Sequence, residues 1–132
     1  MKTKPSATRS KQQIILQPTP FCNINCRYCY LPYRNVTERM PVEVMRRIFS
    51  EVLQSRRFDD PINFVWHAGE PLSLPVGFYK EAFELSRQVN LQYHRQFFHS
   101  IQTNATLLNE AWADLLLEYK VKVGVSLSRS KI

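Results

Sequence analysis

Cysteine is absent from this chain outside one stretch of eight residues, Cys22-Asn-Ile-Asn-Cys26-Arg-Tyr-Cys29, which holds all three. An odd count, with no apolar signal segment ahead of it, argues against a disulfide framework of the secreted type. No apolar run approaches the length of a membrane span, so no membrane partner is expected. Acidic residues are missing from the first eleven positions, where Lys2, Lys4, Arg9 and Lys11 supply +4 of the formal net charge of +7. The remainder is close to balanced, and no aromatic residue interleaves those four charges. Residues 1–12 therefore read as a basic flexible tail rather than a nucleic-acid arm. Glycine is scarce, at three residues, while hydrophobic residues make up 44%. That composition excludes a low-complexity or disordered chain and fits one packed domain.

Three thiolates at the spacing of Cys22, Cys26 and Cys29 can hold three corners of an iron-sulfur cube and leave one iron open. A structural zinc site would need a fourth ligand from His67, His94 or His99. A buried helical stripe would put the three cysteines on one face. Pro18, Pro20 and Pro32 around the run, and Asn23 and Asn25 within it, oppose that helix. The stretch reads as a loop wrapped around a ligand, and clustered thiols suit the reducing cytoplasm.

Along the chain, strand and helix patterns alternate. Gln13 to Gln17 is a short apolar run closed by Pro18. Pro41 is placed as a first helical residue, followed by Met45, Ile48, Phe49, Val52 and Leu53 at helical spacing. Ile62 to Trp66 predicts a second strand, ending in the turn His67-Ala-Gly-Glu-Pro71. Phe78, Tyr79, Ala82, Phe83, Ser86 and Val89 mark the next helix face. Phe97 to Thr103 predicts a third strand and Asn109 a helix cap. Trp112, Leu115, Leu116 and Tyr119 form that helix's stripe. Val121 to Leu127 alternates as a fourth strand, with Val121, Val123, Val125 and Leu127 toward the helices and Lys122, Gly124 and Ser126 opposite. The fold class is α/β: three βα units plus a fourth strand of a parallel sheet. Gln102 and Asn104 share one face, and they, the turn at Gly69 and the cysteine loop all fall at the carboxyl ends of strands, where such sheets bind ligands.

This combination resembles the radical S-adenosylmethionine (radical SAM) superfamily, whose CxxxCxΦC signature is matched by Cys22, Cys26, Tyr28 and Cys29. His67-Ala-Gly-Glu-Pro71 is similar to the family's Gly-Gly-Glu-Pro turn. Gln102-Thr-Asn-Ala-Thr-Leu-Leu108 and Val123-Gly-Val-Ser-Leu127 are similar to the QTNGTLL and VSLDGP segments of its peptide-modifying, SPASM-bearing branch. Gln17 to Pro32 and Val65 to Leu72 resemble the cyclophane-forming peptide maturases in particular. The resemblance implies a partial (β/α)6 TIM-like barrel over residues 13–132, the N-terminal portion of a radical SAM core. It implies a 4Fe-4S cluster on Cys22, Cys26 and Cys29, with S-adenosyl-L-methionine on the open iron. Tyr28 would lie beside the adenine, and Gly69 and Glu70 would meet the methionine amino group. Ser126, Gln102 and Asn104 would contact the carboxylate or ribose. Reductive cleavage would give a 5′-deoxyadenosyl radical that abstracts hydrogen from a peptide substrate, with an electron donor such as a flavodoxin or ferredoxin.

The departures are also legible. Ala68 and Ala105 stand where the family has glycine, and alanine suits such places only if φ stays negative. After Leu127 the chain reads Ser128-Arg-Ser-Lys-Ile132 in place of Asp-Gly-Pro. The expectation is a truncated or frameshifted core with an exposed fourth-strand edge. The alternative function is a noncatalytic metal-binding or interaction module.

Overall fold

The computed structural model describes residues 12–19, 39–67 and 69–125. Four strands, β1 (Gln13–Leu16), β2 (Ile62–Trp66), β3 (Phe97–Thr103) and β4 (Lys122–Val125), form one sheet in the order of the chain. All three pairings are parallel. Between the strands lie α1 (Val42–Gln54), α2 (Val76–Tyr93) and α3 (Glu110–Glu118). This is the parallel α/β sheet with alternating helices that the hydrophobic periodicity predicts, and it is consistent with part of a TIM-like barrel.

Period-two alternation decides which face of the sheet the helices cover. In β2, Ile62, Phe64 and Trp66 are buried and Asn63 and Val65 are partly exposed. In β3, His99, Ile101 and Thr103 are buried, and the register pairs Phe64 with His99 and Trp66 with Ile101. These residues, with Met45, Phe49 and Leu53 of α1 and Tyr79, Ala82 and Phe83 of α2, make one continuous core. Its centre is aromatic: the Trp66 ring meets Tyr79 edge-on at 5.4 Å, and Phe49 meets Phe64 edge-on at 5.1 Å. Each such fully buried ring contributes roughly 1.5–3 kcal/mol through burial.

The helix boundaries follow from local chemistry. Pro41 is the N-cap of α1, one position earlier than the sequence suggests, because its extended ψ of 151° keeps it outside the helix. Asn109 caps α3 as predicted, its Oδ1 accepting from the Trp112 backbone N–H at 3.0 Å. A 3-10 turn at Pro71–Ser73 and the buried Leu85 of α2 were not legible in the periodicity. Nor was Arg95, whose guanidinium donates to Asp60 and to the carbonyls of Leu53, Ser55 and Phe58. That fork ties the start of β3 to the α1–β2 connection, at the amino end of the sheet. On β4, Val123 and Val125 lie on the helix side yet are 41% and 49% exposed. The exposed apolar surface beside the fourth strand is thus present. The predicted remainder of that strand, Ser126 and Leu127, lies outside the described residues.

Candidate functional site at the carboxyl rim of the sheet

At the end of β1, the buried Pro18 and Thr19 lead into the cysteine-bearing segment, and the chain is described again from Arg39. The Met40 backbone N–H donates to the Pro18 carbonyl at 2.7 Å. The described residues on either side of the segment therefore meet at one point beside the carboxyl rim of the sheet. Cys22, Cys26, Tyr28 and Cys29 lie outside the described residues, as do Ser126 and Ala68.

Beside that point β2 ends, and the His67 backbone N–H continues the ladder by donating to the Leu16 carbonyl at 2.9 Å. Gly69 follows with φ of 69°, a left-handed conformation that glycine adopts without a side-chain clash. Glu70 is 1% exposed. Its Oε2 accepts from the Leu72 backbone N–H at 2.8 Å and from the Thr103 hydroxyl at 2.5 Å. Its Oε1 accepts from the Asn104 backbone N–H at 2.8 Å. One carboxylate thus caps the 3-10 turn and fastens it to the end of β3. Glu70 is thus not a solvated loop carboxylate. Tyr79 closes the turn from below, donating from its hydroxyl to the Pro71 carbonyl at 2.8 Å. Burial, helped by the nearby Glu70 charge, pushes the Tyr79 phenol well above its usual range.

The rim of β3 continues through Asn104, whose Oδ1 accepts from the Thr106 amide and hydroxyl. Ala105 has φ of 69°, so the condition that alanine keep a negative φ is not met at this position. The strain is tolerated because the Thr103 and Asn104 side chains hold the loop on both sides, the Ala105 N–H donating to Thr103 Oγ1 at 3.0 Å. On the helix-free face Gln102 of β3 pairs in register with Gly124 of β4, and Lys122 lies over the Phe98 ring at 4.5 Å. The structure therefore brings Gly69, Glu70, Gln102 and Asn104 to one rim, on two adjacent strand ends.

The histidines separate by position. His99 lies in the core: its Nδ1 accepts from Trp66 Nε1 at 3.0 Å, and its Nε2 lies 3.0 Å from the Ser86 hydroxyl. Since Ser86 donates its proton to the Phe83 carbonyl, the His99 Nε2–H is the donor in that pair. Burial, with a smaller push from Arg87, lowers the His99 pKa to about 3. Both nitrogens are used, which removes His99 as a metal ligand. His94 terminates α2 at the amino end of the sheet, away from the rim. Only His67, exposed after β2, remains near the cysteine segment among the three. Among the described residues no group of three His, Cys, Asp or Glu side chains is arranged to hold a metal, and no helix is long and apolar enough to cross a membrane.

Comparison with known proteins bears on the same region. The family model described as the Radical SAM superfamily matches residues 16–128. An uncharacterized protein of Synechocystis sp. is 42% identical over 117 residues, covering 86% of this chain and 29% of its own length. A serine-type anaerobic sulfatase-maturating enzyme of Klebsiella aerogenes is 36% identical over 121 residues, covering 86% of this chain and 29% of that enzyme. The solved structure of native anSMEcpe with bound AdoMet and Cp18Cys peptide superposes with a TM-score of 0.75 at 30% identity, covering 89% of this chain and 32% of that one. The chain thus spans less than a third of the length of these relatives.

Proposed function

This chain belongs to the radical SAM superfamily, and from that premise we propose that it is the cofactor-binding portion of a peptide-modifying radical SAM enzyme. One observation carries the reading. The residues flanking the segment with all three cysteines are joined by the Met40–Pro18 hydrogen bond, beside the left-handed Gly69 turn on the same rim.

The donor set fits a 4Fe-4S cluster, since Cys22, Cys26 and Cys29 supply three thiolates and leave one iron open. The rim fits a polar ligand beside it, with glycine in a left-handed turn at 69 and the Gln102 carboxamide lying over Gly124 on the helix-free face. In this reading Tyr28 lies against the adenine, and Gly69 and Glu70 face the methionine amino group. Because the Glu70 side chain is held by three donors of its own chain, the backbone of this turn is what it offers a ligand. Ser126, Gln102 and Asn104 serve the carboxylate or ribose. Held by Cys22, Cys26 and Cys29 and by this rim, the cluster and S-adenosylmethionine would supply reductive cleavage of the C5′–S bond and hydrogen-atom abstraction from the substrate. The residues of the chain bind, orient and exclude water.

The partners proposed are a peptide substrate and a low-potential electron donor such as a flavodoxin or ferredoxin, in the cytoplasm. Support for the peptide comes from the anSMEcpe structure, which carries one, and from the sulfatase-maturating relatives. The finer likeness to cyclophane-forming maturases belongs to the same proposal and rests on the two phrases Gln17 to Pro32 and Val65 to Leu72.

Anaerobic reconstitution with iron and sulfide, followed by dithionite reduction with S-adenosylmethionine, tests the proposal. The expected result is about four irons per chain and formation of 5′-deoxyadenosine, both lost in Cys26→Ala. A reconstituted cluster with no 5′-deoxyadenosine would overturn the enzyme reading and leave a noncatalytic metal-binding module.

A further inference from the structure

Gly124 and Gln102 are register partners on β4 and β3, both on the helix-free face of the sheet. Glycine inside a strand weakens it and often marks a place where something approaches the backbone closely. Conformation does not demand glycine here, because the positive-φ glycine is Gly69 and Gly124 keeps ordinary strand geometry. Space does. A Cβ at position 124 would fall far inside contact distance of Gln102 Oε1, and within 3.0 Å of its Cδ and 3.3 Å of its Nε2. The Gln102 carboxamide therefore sits over the Gly124 backbone, oxygen nearest, in the volume that any other residue at 124 would fill. The group that would be displaced is the far end of a flexible side chain. A substitution would redirect Gln102 rather than unfold the sheet.

We infer that Gly124 is a positioning residue: by lacking a side chain it holds the Gln102 carboxamide down against β4, two residues before Ser126, and so sets the wall of the S-adenosylmethionine pocket. This rests on the function proposed above. Gly124 touches no ligand itself; its effect passes through Gln102.

The test compares Gly124→Ala, Gln102→Ala and the double variant in the reconstituted full chain, by equilibrium dialysis with S-adenosylmethionine and by urea unfolding of each chain. Gly124→Ala is expected to weaken S-adenosylmethionine binding about tenfold, the scale of one misplaced hydrogen-bonding group, while its unfolding midpoint equals or exceeds wild type. Gln102→Ala is expected to weaken binding by a similar factor. The double variant should bind no more weakly than Gln102→Ala, because the clash has been removed. Unchanged affinity in Gly124→Ala, or losses that multiply to about a hundredfold in the double variant, would overturn the inference. If Gly124→Ala alone fails to fold, Gln102→Ala must restore folding, and failure to restore it overturns the inference equally. A wild-type chain that binds no S-adenosylmethionine would bring down the proposed function as well. Binding by wild type with equal binding by Gly124→Ala would bring down this inference alone.

Discussion

Replacing Glu70 by glutamine removes one charge and almost no volume, so the outcome isolates the hydrogen-bonding role of this side chain. The carboxylate is 1% exposed and accepts three hydrogen bonds, from Leu72 N, Thr103 Oγ1 and Asn104 N. An amide can present its carbonyl to one side only. With the NH2 toward Asn104, that backbone N–H faces another donor. With the NH2 toward Oε2's position, Thr103 can rotate its hydroxyl to accept, but Leu72 N–H is left opposed. Either orientation loses one charge-assisted hydrogen bond, worth about 1.5–3 kcal/mol, so Glu70→Gln should destabilise the chain by about 2–3 kcal/mol. In a chain of this size that lowers the melting temperature by on the order of 10 °C. Urea unfolding of Glu70→Gln, Thr103→Val and the double variant gives both the loss and the coupling between the two side chains. A coupling energy of about 1 kcal/mol or more is expected for groups sharing a buried bond. A loss below about 0.5 kcal/mol, or independent effects, would refute the clamp between the β2 turn and the end of β3.

Three further perturbations have expected outcomes. His99 has a folded pKa of about 3 against 6.5 unfolded, so its contribution is complete above pH 6.5 and is lost as pH falls toward 3. The slope is about 1.4 kcal/mol per pH unit, or about 2 kcal/mol between pH 6.5 and pH 5, and denaturant titrations of wild type and His99→Gln should differ by that slope. Ala105→Gly should raise the unfolding free energy by about 0.5–1 kcal/mol, because left-handed φ strains alanine more than glycine's extra unfolded entropy costs; a lowered melting temperature would contradict the geometry. Arg95→Lys should be nearly as damaging as Arg95→Ala, about 2–4 kcal/mol by urea unfolding, since one ammonium cannot reproduce a fork directed at Asp60 and three carbonyls. A lysine variant within about 0.5 kcal/mol of wild type would show that the fork geometry is unimportant.

Much of the fold was legible because burial on one face imposes a period. Ile62 to Trp66 and Phe97 to Thr103 match their strands at both ends, since a one-residue slip would turn Trp66 or Ile101 away from the core. The Asn109 cap was legible because its side chain bonds a backbone N–H three residues away. Contacts between residues distant in the chain were not. Glu70 meets Thr103 and Asn104 across more than thirty positions, and Arg95 reaches back to Leu53 across forty-two. His99 read as a candidate ligand by residue type, and only its place between Trp66 and Ser86 makes it a neutral core group.

By itself, then, the sequence determined the alternation of strands and helices, the face each presents, and the gathering of three thiols at the end of β1, because each depends on neighbours within a few residues. The tertiary structure alone decided which polar groups are spent within the chain. The Glu70 carboxylate and the Thr103 hydroxyl are committed to each other and to the turn, whereas the Gln102 carboxamide lies over Gly124 on the face proposed for the cofactor. Those assignments come from parallel strands lying side by side, which places residues of distant sequence number within one hydrogen bond of each other.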